Sequence, residues 1–168
     1  ILQHGWLRDG GNWHYLNASG FMVTGWQKMP DGNWYYFNGS GVLQHNWVRY
    51  SGNWYYLNGS GFMVTGWQRL PDGNWYYFDG SGIMQTGWLN RGGNWYYLNP
   101  VSDGTRGAMK TGWFKDVDGN WYYLNPVSGG TQGAMKTGWF TDPQDGHLYY
   151  LDPKTGAMVT GNIQNDSV

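Results

Sequence analysis

Tryptophan recurs along this chain at almost constant intervals, and this periodicity limits the possible folds more than any other feature. Seven tryptophans, all but one preceded by glycine, are separated by 20, 21, 20, 21, 25 and 26 residues. They are Trp6, Trp26, Trp47, Trp67, Trp88, Trp113 and Trp139. A second tryptophan follows seven or eight positions after six of them, at Trp13, Trp34, Trp54, Trp75, Trp95 and Trp121. Such self-similarity is typical of repeat proteins, in which each unit packs on its neighbours.

Each repeat has the pattern of a β-hairpin. The short segment at Gly66–Arg69 is followed by an Asp-Gly-Asn turn at 72–74 and by the aromatic run Trp75–Phe78. Turns of this kind favour tight hairpins, and aromatic residues favour strands, whereas glycine or proline interrupts every window of helical length. A lone hairpin is marginal in water, so the sequence predicts an all-β solenoid of stacked hairpins, one per repeat of about 20 residues. We expect seven hairpins, beginning near Gly5, Gly25, Asn46, Gly66, Gly87, Gly112 and Gly138.

Composition excludes several classes of function. The net charge is -1 and there is no run of Lys or Arg, so we expect no nucleic-acid partner. No apolar run approaches the ~20 residues of a membrane helix, so we expect no membrane insertion. The chain has no cysteine, and 116–120 resembles part of a calcium loop but has Val127 where the twelfth-position glutamate would stand. We therefore expect no metal and no catalytic residue.

Aromatic residues make up 20% of the chain. Successive side chains of a strand point to opposite faces, so the aromatic residues of each second strand are divided between its two faces. We expect Tyr76 and Phe78 to face inward, and Trp75 and Tyr77 to face the groove between neighbouring hairpins. Two tryptophans and a tyrosine per groove, with no acid at a fixed repeat position beside them, would form an aromatic cage for a cation that has no N–H to donate. The alternative from the residues alone is that these rings are simply the core of a solenoid poor in aliphatic residues.

The repeats resemble the choline-binding repeats of Gram-positive surface proteins and phage lysins. The resemblance covers all 168 residues and depends on Gly-Trp, Trp-Tyr-Tyr-Phe/Leu and Gly-x-Met-x-Thr-Gly-Trp, as at 61–67. It implies a left-handed β-solenoid. It also implies that both tryptophans of one hairpin and a tyrosine of the next hold choline, with a methionine or leucine closing the cage.

Transferred to this chain, the resemblance implies six cages. The first three are Trp6, Trp13 and Tyr36 with Met22; Trp26, Trp34 and Tyr56 with Leu43; and Trp47, Trp54 and Tyr77 with Met63. The next three are Trp67, Trp75 and Tyr97 with Met84; Trp88, Trp95 and Tyr123 with Met109; and Trp113, Trp121 and Tyr150 with Met135.

The function implied is that of a non-catalytic module that recognises choline or phosphocholine on teichoic or lipoteichoic acid. It would hold a parent protein non-covalently at the extracellular bacterial surface, with no cofactor besides the ligand. Because the chain begins inside a repeat, we expect 1–168 to be a single module cut from a longer protein, with a terminal cap at 157–168; the missing part would be a cell-wall hydrolase or an adhesin. The alternative is a glucan- or glycan-binding array, whose repeats usually lack the tryptophan before Tyr-Tyr.

Overall fold

The computed structural model describes residues 2–160 as a series of β-hairpins, and seven two-stranded antiparallel sheets are found in that range. The strands are β1 (Gly5–Asp9), β2 (Asn12–Leu16), β3 (Gly25–Lys28), β4 (Trp34–Phe37), β5 (Asn46–Tyr50), β6 (Asn53–Leu57), β7 (Gly66–Arg69), β8 (Trp75–Phe78), β9 (Gly87–Arg91), β10 (Asn94–Leu98), β11 (Gly112–Lys115), β12 (Trp121–Leu124), β13 (Gly138–Thr141) and β14 (Leu148–Leu151). Each odd-numbered strand pairs with the strand that follows it. The all-β fold class is confirmed. None of the described residues belongs to a helix that could span a bilayer.

The turn within a hairpin is set by a few local bonds. Between β3 and β4, Gly32 has a φ of +84°, a conformation that glycine adopts without steric cost. The Asp31 carboxylate accepts a hydrogen bond of 2.9 Å from the backbone N–H of Asn33. This side-chain turn is the physical reason for the Asp-Gly-Asn sequence.

The strand register places the tryptophans and the two tyrosines of each repeat. In the hairpin of β3 and β4, Trp26 lies opposite Tyr36, so these two rings share one face. Tyr35 and Phe37 lie on the other face. Phenylalanine or leucine at the fourth position of the aromatic run is 0% exposed in six hairpins, as the sequence predicts, at Phe37, Leu57, Phe78, Leu98, Leu124 and Leu151.

The chain divides into two compact units, Ile1–Gln85 and Thr86–Val168. Within each unit, the face that carries the tryptophans of one hairpin packs against the Tyr/Phe or Tyr/Leu face of the next. The expectation of a single module over 1–168 stays a prediction. Most of the expected cap at 157–168 lies outside the described residues.

Candidate binding sites between hairpins

Two tryptophans of one hairpin and a tyrosine of the next line the first groove. The rings of Trp6 and Trp13 are nearly perpendicular, with centroids 6.3 Å apart, and the ring of Tyr35 lies 5.2 Å from that of Trp6. Together with Leu43 and His45 they line an open pocket of about 420 Å³, within the range of small-molecule sites. This group is the first site.

The second site repeats this arrangement one hairpin further along. Trp26, Trp34, Tyr55 and Met63 line a pocket of about 400 Å³. Tyr50 adds a further ring, with its centroid 6.4 Å from that of Trp26. The second site is therefore the more aromatic of the two.

Three further hairpins carry the same arrangement. In the third, fifth and sixth sites, the first tryptophan lies 5.2, 4.9 and 4.8 Å from a tyrosine of the next hairpin. The fifth site encloses a pocket of about 300 Å³. The members are Trp47, Trp54, Tyr76 and Met84 in the third; Trp88, Trp95, Tyr122 and Met135 in the fifth; and Trp113, Trp121, Tyr149 and Met158 in the sixth.

The tyrosine assignments from the resemblance need a correction, because the groove holds the first tyrosine of each aromatic run. The structure places Tyr35, Tyr55, Tyr76, Tyr122 and Tyr149 in the sites where Tyr36, Tyr56, Tyr77, Tyr123 and Tyr150 were expected. In each groove, the tryptophan face of one hairpin meets the opposite face of the next hairpin. That opposite face carries the first tyrosine together with Phe37 or its equivalent, so the first tyrosine is the one that meets the tryptophans. The second tyrosine packs instead on the tryptophan of its own hairpin, as Tyr36 does on Trp26 at 5.0 Å.

The closing aliphatic residue comes from one repeat later than expected. The backbone N–H of Leu43 donates to the carbonyl of Trp13, and that of Met63 donates to the carbonyl of Trp34, both at 2.8 Å. These bonds place Leu43 in the first site, where Met22 was expected, and Met63 in the second, where Leu43 was expected. Equivalent bonds place Met84, Met135 and Met158 in the third, fifth and sixth sites, where Met63, Met109 and Met135 were expected.

The fourth expected group combines residues of both compact units. It consists of Trp67, Trp75 and Tyr97 with Met84. Within the first unit, the backbone N–H of Met84 bonds to the carbonyl of Trp54, which belongs to the third site. Tyr97 stacks on Phe114 within the second unit, with centroids 4.2 Å apart. Met84 is therefore the closing residue of the third site, not of the fourth as expected, and the rest of the fourth cage stays a prediction.

The second tryptophans are only partly covered by protein, unlike the core. Trp13 and Trp34 are each 40% exposed and Trp121 is 41% exposed, whereas Phe37 is fully buried. A core ring would be covered on both faces, because interiors are close-packed. Large rings left half open at equivalent places favour a ligand site over the purely structural interpretation.

Turn aspartates hold the tyrosines of the first and third sites. The Tyr35 hydroxyl donates to the Asp31 carboxylate at 2.5 Å, and that of Tyr76 donates to Asp72 at the same distance. Burial, together with this hydrogen bond to the carboxylate, raises the pKa of Tyr35 to about 12. The same causes raise the pKa of Tyr76 to about 12. Both rings are therefore neutral near pH 7, and their orientation is fixed from the turn of their own hairpin.

Two acids lie beside tryptophans of the second unit, although sequence reasoning found none at a fixed position. The indole N–H of Trp88 donates to Asp116 at 2.9 Å, and that of Trp113 donates to Asp142 at 2.8 Å. Each acid stands three residues after the first tryptophan of the next hairpin, where the second hairpin has the buried Met29. Aligning this one position across the repeats would have shown the difference.

The third residue of the Gly-Ser-Gly turn receives the closing side chain of the preceding repeat. Gly82 has a φ of +82°, and a Cβ there would lie 2.3 Å from the sulfur of Met63. Gly80, in the same turn, has no such φ, and its Cβ would meet nothing within 4 Å. A side chain at position 82 would therefore meet a site residue, whereas a methyl group at position 80 would not.

Gly82→Ala is expected to lower the free energy of unfolding by about 1–3 kcal/mol, because a side chain there is strained and displaces Met63. The matched control Gly80→Ala should be neutral or stabilising by about 0.4–1 kcal/mol, since it only restricts the unfolded chain. Urea denaturation of both variants measures the difference. Equal effects would contradict the role assigned to Gly82.

Residues 2–160 contain no group of three or more His, Cys, Asp or Glu side chains that could hold a metal ion.

Comparison with known proteins agrees with this architecture. A family model described as a choline-binding repeat matches residues 4–46, 23–65, 64–106 and 130–162, and a second, for a cell-wall-binding repeat, matches residues 111–126. Stacked hairpins with aromatic groups between them define a repeat-built binding module. The chain belongs to the family of choline-binding repeats. No curated protein matches it.

Solved structures are similar over most of the chain. Choline binding protein F and CbpJ, both from Streptococcus pneumoniae, are each 40% identical with a TM-score of 0.79, and each match covers 94% of this chain and 52% of the other. A multimodular pneumococcal cell wall endolysin from phage Cp-1, solved in complex with choline, is 32% identical with a TM-score of 0.53. That match covers 79% of this chain and 37% of the endolysin chain. The chain thus spans about half the length of the first two relatives.

Proposed function

We propose that this chain recognises choline or phosphocholine on teichoic or lipoteichoic acid and thereby holds a parent protein non-covalently at the extracellular face of a bacterial cell. The observation that supports this most is the repeated pocket of two partly exposed tryptophans and one tyrosine, as in Trp26, Trp34 and Tyr55. A quaternary ammonium has no N–H to donate, so it binds to ring faces without leaving a hydrogen bond unmade.

The expected affinity of one site is modest. A cation over an aromatic ring gains about 0.5–2 kcal/mol, so three rings supply on the order of 2–5 kcal/mol. A dissociation constant of about 1 mM corresponds to about 4 kcal/mol. Several sites on one chain that meet a polymeric ligand can gain about 10²–10⁴ in avidity. Retention on a repetitive, choline-bearing surface is the function that such sites serve best.

Thermal unfolding in choline tests the proposal. At 20 mM choline, a site with a dissociation constant of about 1 mM stabilises the folded state by about 1.8 kcal/mol. For a chain of this size, each kcal/mol raises the melting temperature by about 2–4 °C. We expect a shift of several degrees that grows with choline concentration.

Two control ligands give the test its specificity. The neutral analogue 3,3-dimethyl-1-butanol has carbon in place of the quaternary nitrogen, and should produce little shift because the attraction to the rings requires charge. Glucose polymers test the glycan-binding alternative. A shift with dextran but none with choline would overturn the proposal, as would equal shifts with choline and its neutral analogue.

A further inference from the structure

The rim of the fifth site differs from the rims of the first and second. Its pocket is lined by Lys154 and Thr155, which follow the last hairpin, in addition to its rings and Met135. The corresponding rim consists of Gly59 and Ser60 in the first site, and of Gly80 and Ser81 in the second. Of these three pockets, the fifth has a cationic side chain at its edge.

We infer that the Lys154 ammonium forms a phosphate subsite, so that the fifth site binds phosphocholine in preference to choline. The inference rests on the proposed function, because it takes the cage to hold a quaternary ammonium. An ammonium side chain repels a bare choline cation. It attracts the phosphate of phosphocholine, which lies two carbons from the quaternary nitrogen and can reach the rim while the nitrogen stays among the rings.

The loop holds Lys154 in place and leaves its ammonium at the rim of the pocket. Asp152 accepts hydrogen bonds from the backbone N–H groups of Lys154 and Thr155, at 2.7 and 2.9 Å, which fixes the loop. The Lys154 side chain is exposed, and its ammonium has no ion-pair partner within 4 Å among residues 2–160; it attracts the Asp152 carboxylate of its own loop from beyond that distance. The Thr155 hydroxyl accepts from the backbone N–H of Ala157 at 3.2 Å and also bonds to the Asp152 carboxylate, so it is already partnered within the loop.

The chain offers a matched gain-of-function variant for the same test. Gly80 occupies the rim position of the second site that Lys154 occupies in the fifth. It has no positive φ, and a Cβ there meets nothing within 4 Å, so Gly80→Lys introduces the ammonium without strain. The variant Lys154→Ala removes the ammonium from the fifth site.

Methyl NMR of ¹³C-labelled methionine resolves the sites, because Met135 lines the fifth pocket and Met63 lines the second. Both methyl signals are titrated with choline and with phosphocholine at equal ionic strength, since exposed charges are screened by salt. At Met135, phosphocholine should bind about two- to fivefold more tightly than choline, the range of an exposed ion pair. At Met63 the two ligands should bind equally.

The two variants test whether the Lys154 ammonium causes the preference for phosphocholine. In Lys154→Ala the preference at Met135 should disappear, while choline binding there is kept or improved. In Gly80→Lys a preference for phosphocholine should appear at Met63. An unchanged preference at Met135 in Lys154→Ala would overturn the phosphate subsite and leave the cage intact. If neither ligand shifts either methyl signal, the proposed function itself is wrong.

Discussion

Phe78→Ala is expected to lower the free energy of unfolding by about 3–5 kcal/mol, the usual cost of truncating a buried phenylalanine. The ring of Phe78 is 0% exposed, and its centroid lies 5.8 Å from that of Trp47 in the third site. Alanine leaves a cavity beneath that tryptophan, and because interiors are close-packed the surroundings cannot refill it. Urea denaturation followed by circular dichroism measures the loss.

Phe21→Ala is the matched control for this prediction. The same substitution is made there on a side chain that is 70% exposed, so it should change stability by no more than about 0.5 kcal/mol. A large difference between the two variants supports the assignment of the buried phenylalanine and leucine positions as the core. Similar losses would show that this assignment is wrong.

Trp34→Ala should weaken choline binding at the second site about 2- to 30-fold, because it removes one of the rings that attract the cation. The Trp34 ring is 40% exposed, and its backbone carbonyl still accepts the hydrogen bond from Met63. The fold should therefore persist. Titration of the Met63 methyl signal with choline measures the second site directly, and the Met135 signal reports the fifth site, which should not change.

Trp139→Ala provides the control for ring removal outside a cage. Trp139 is 58% exposed, and its ring packs on that of Tyr150 in its own hairpin, with centroids 4.8 Å apart. Its replacement should leave choline affinity at both the Met63 and the Met135 signals unchanged. If Trp34→Ala were as harmless as Trp139→Ala, the tryptophans would be structural rings and not ligand contacts.

Much of the hairpin architecture could be predicted because each repeat encodes it locally. The turn at Asp31 and Gly32 depends on residues within the turn itself, so one repeat suffices to recognise it. The inward orientation of Phe37 and its equivalents also follows from the alternation of side chains along a strand. The turn involves no contact between repeats and the alternation of strand faces is a local property, so repetition of the pattern made both easy to recognise.

The site could be predicted only in part, because its composition depends on how repeats stack. The alternation of side chains along a strand places the two tyrosines on different faces correctly. It does not show that a groove joins opposite faces of two successive hairpins, and this arrangement brings Tyr55, not Tyr56, to Trp26. The closing residue depends on a hydrogen bond between Met63 and Trp34, which are 29 positions apart. No pattern within one repeat contains that bond.

A crystal structure with bound choline is the most direct measurement of the central claim, that the ligand lies between hairpins. At the second site we expect the quaternary nitrogen within about 6 Å of the ring centroids of Trp26, Trp34 and Tyr55, the range of a cation–π contact, with Met63 closing the pocket. Choline bound elsewhere, or no choline in any groove at a concentration well above 1 mM, the expected dissociation constant, would contradict the claim.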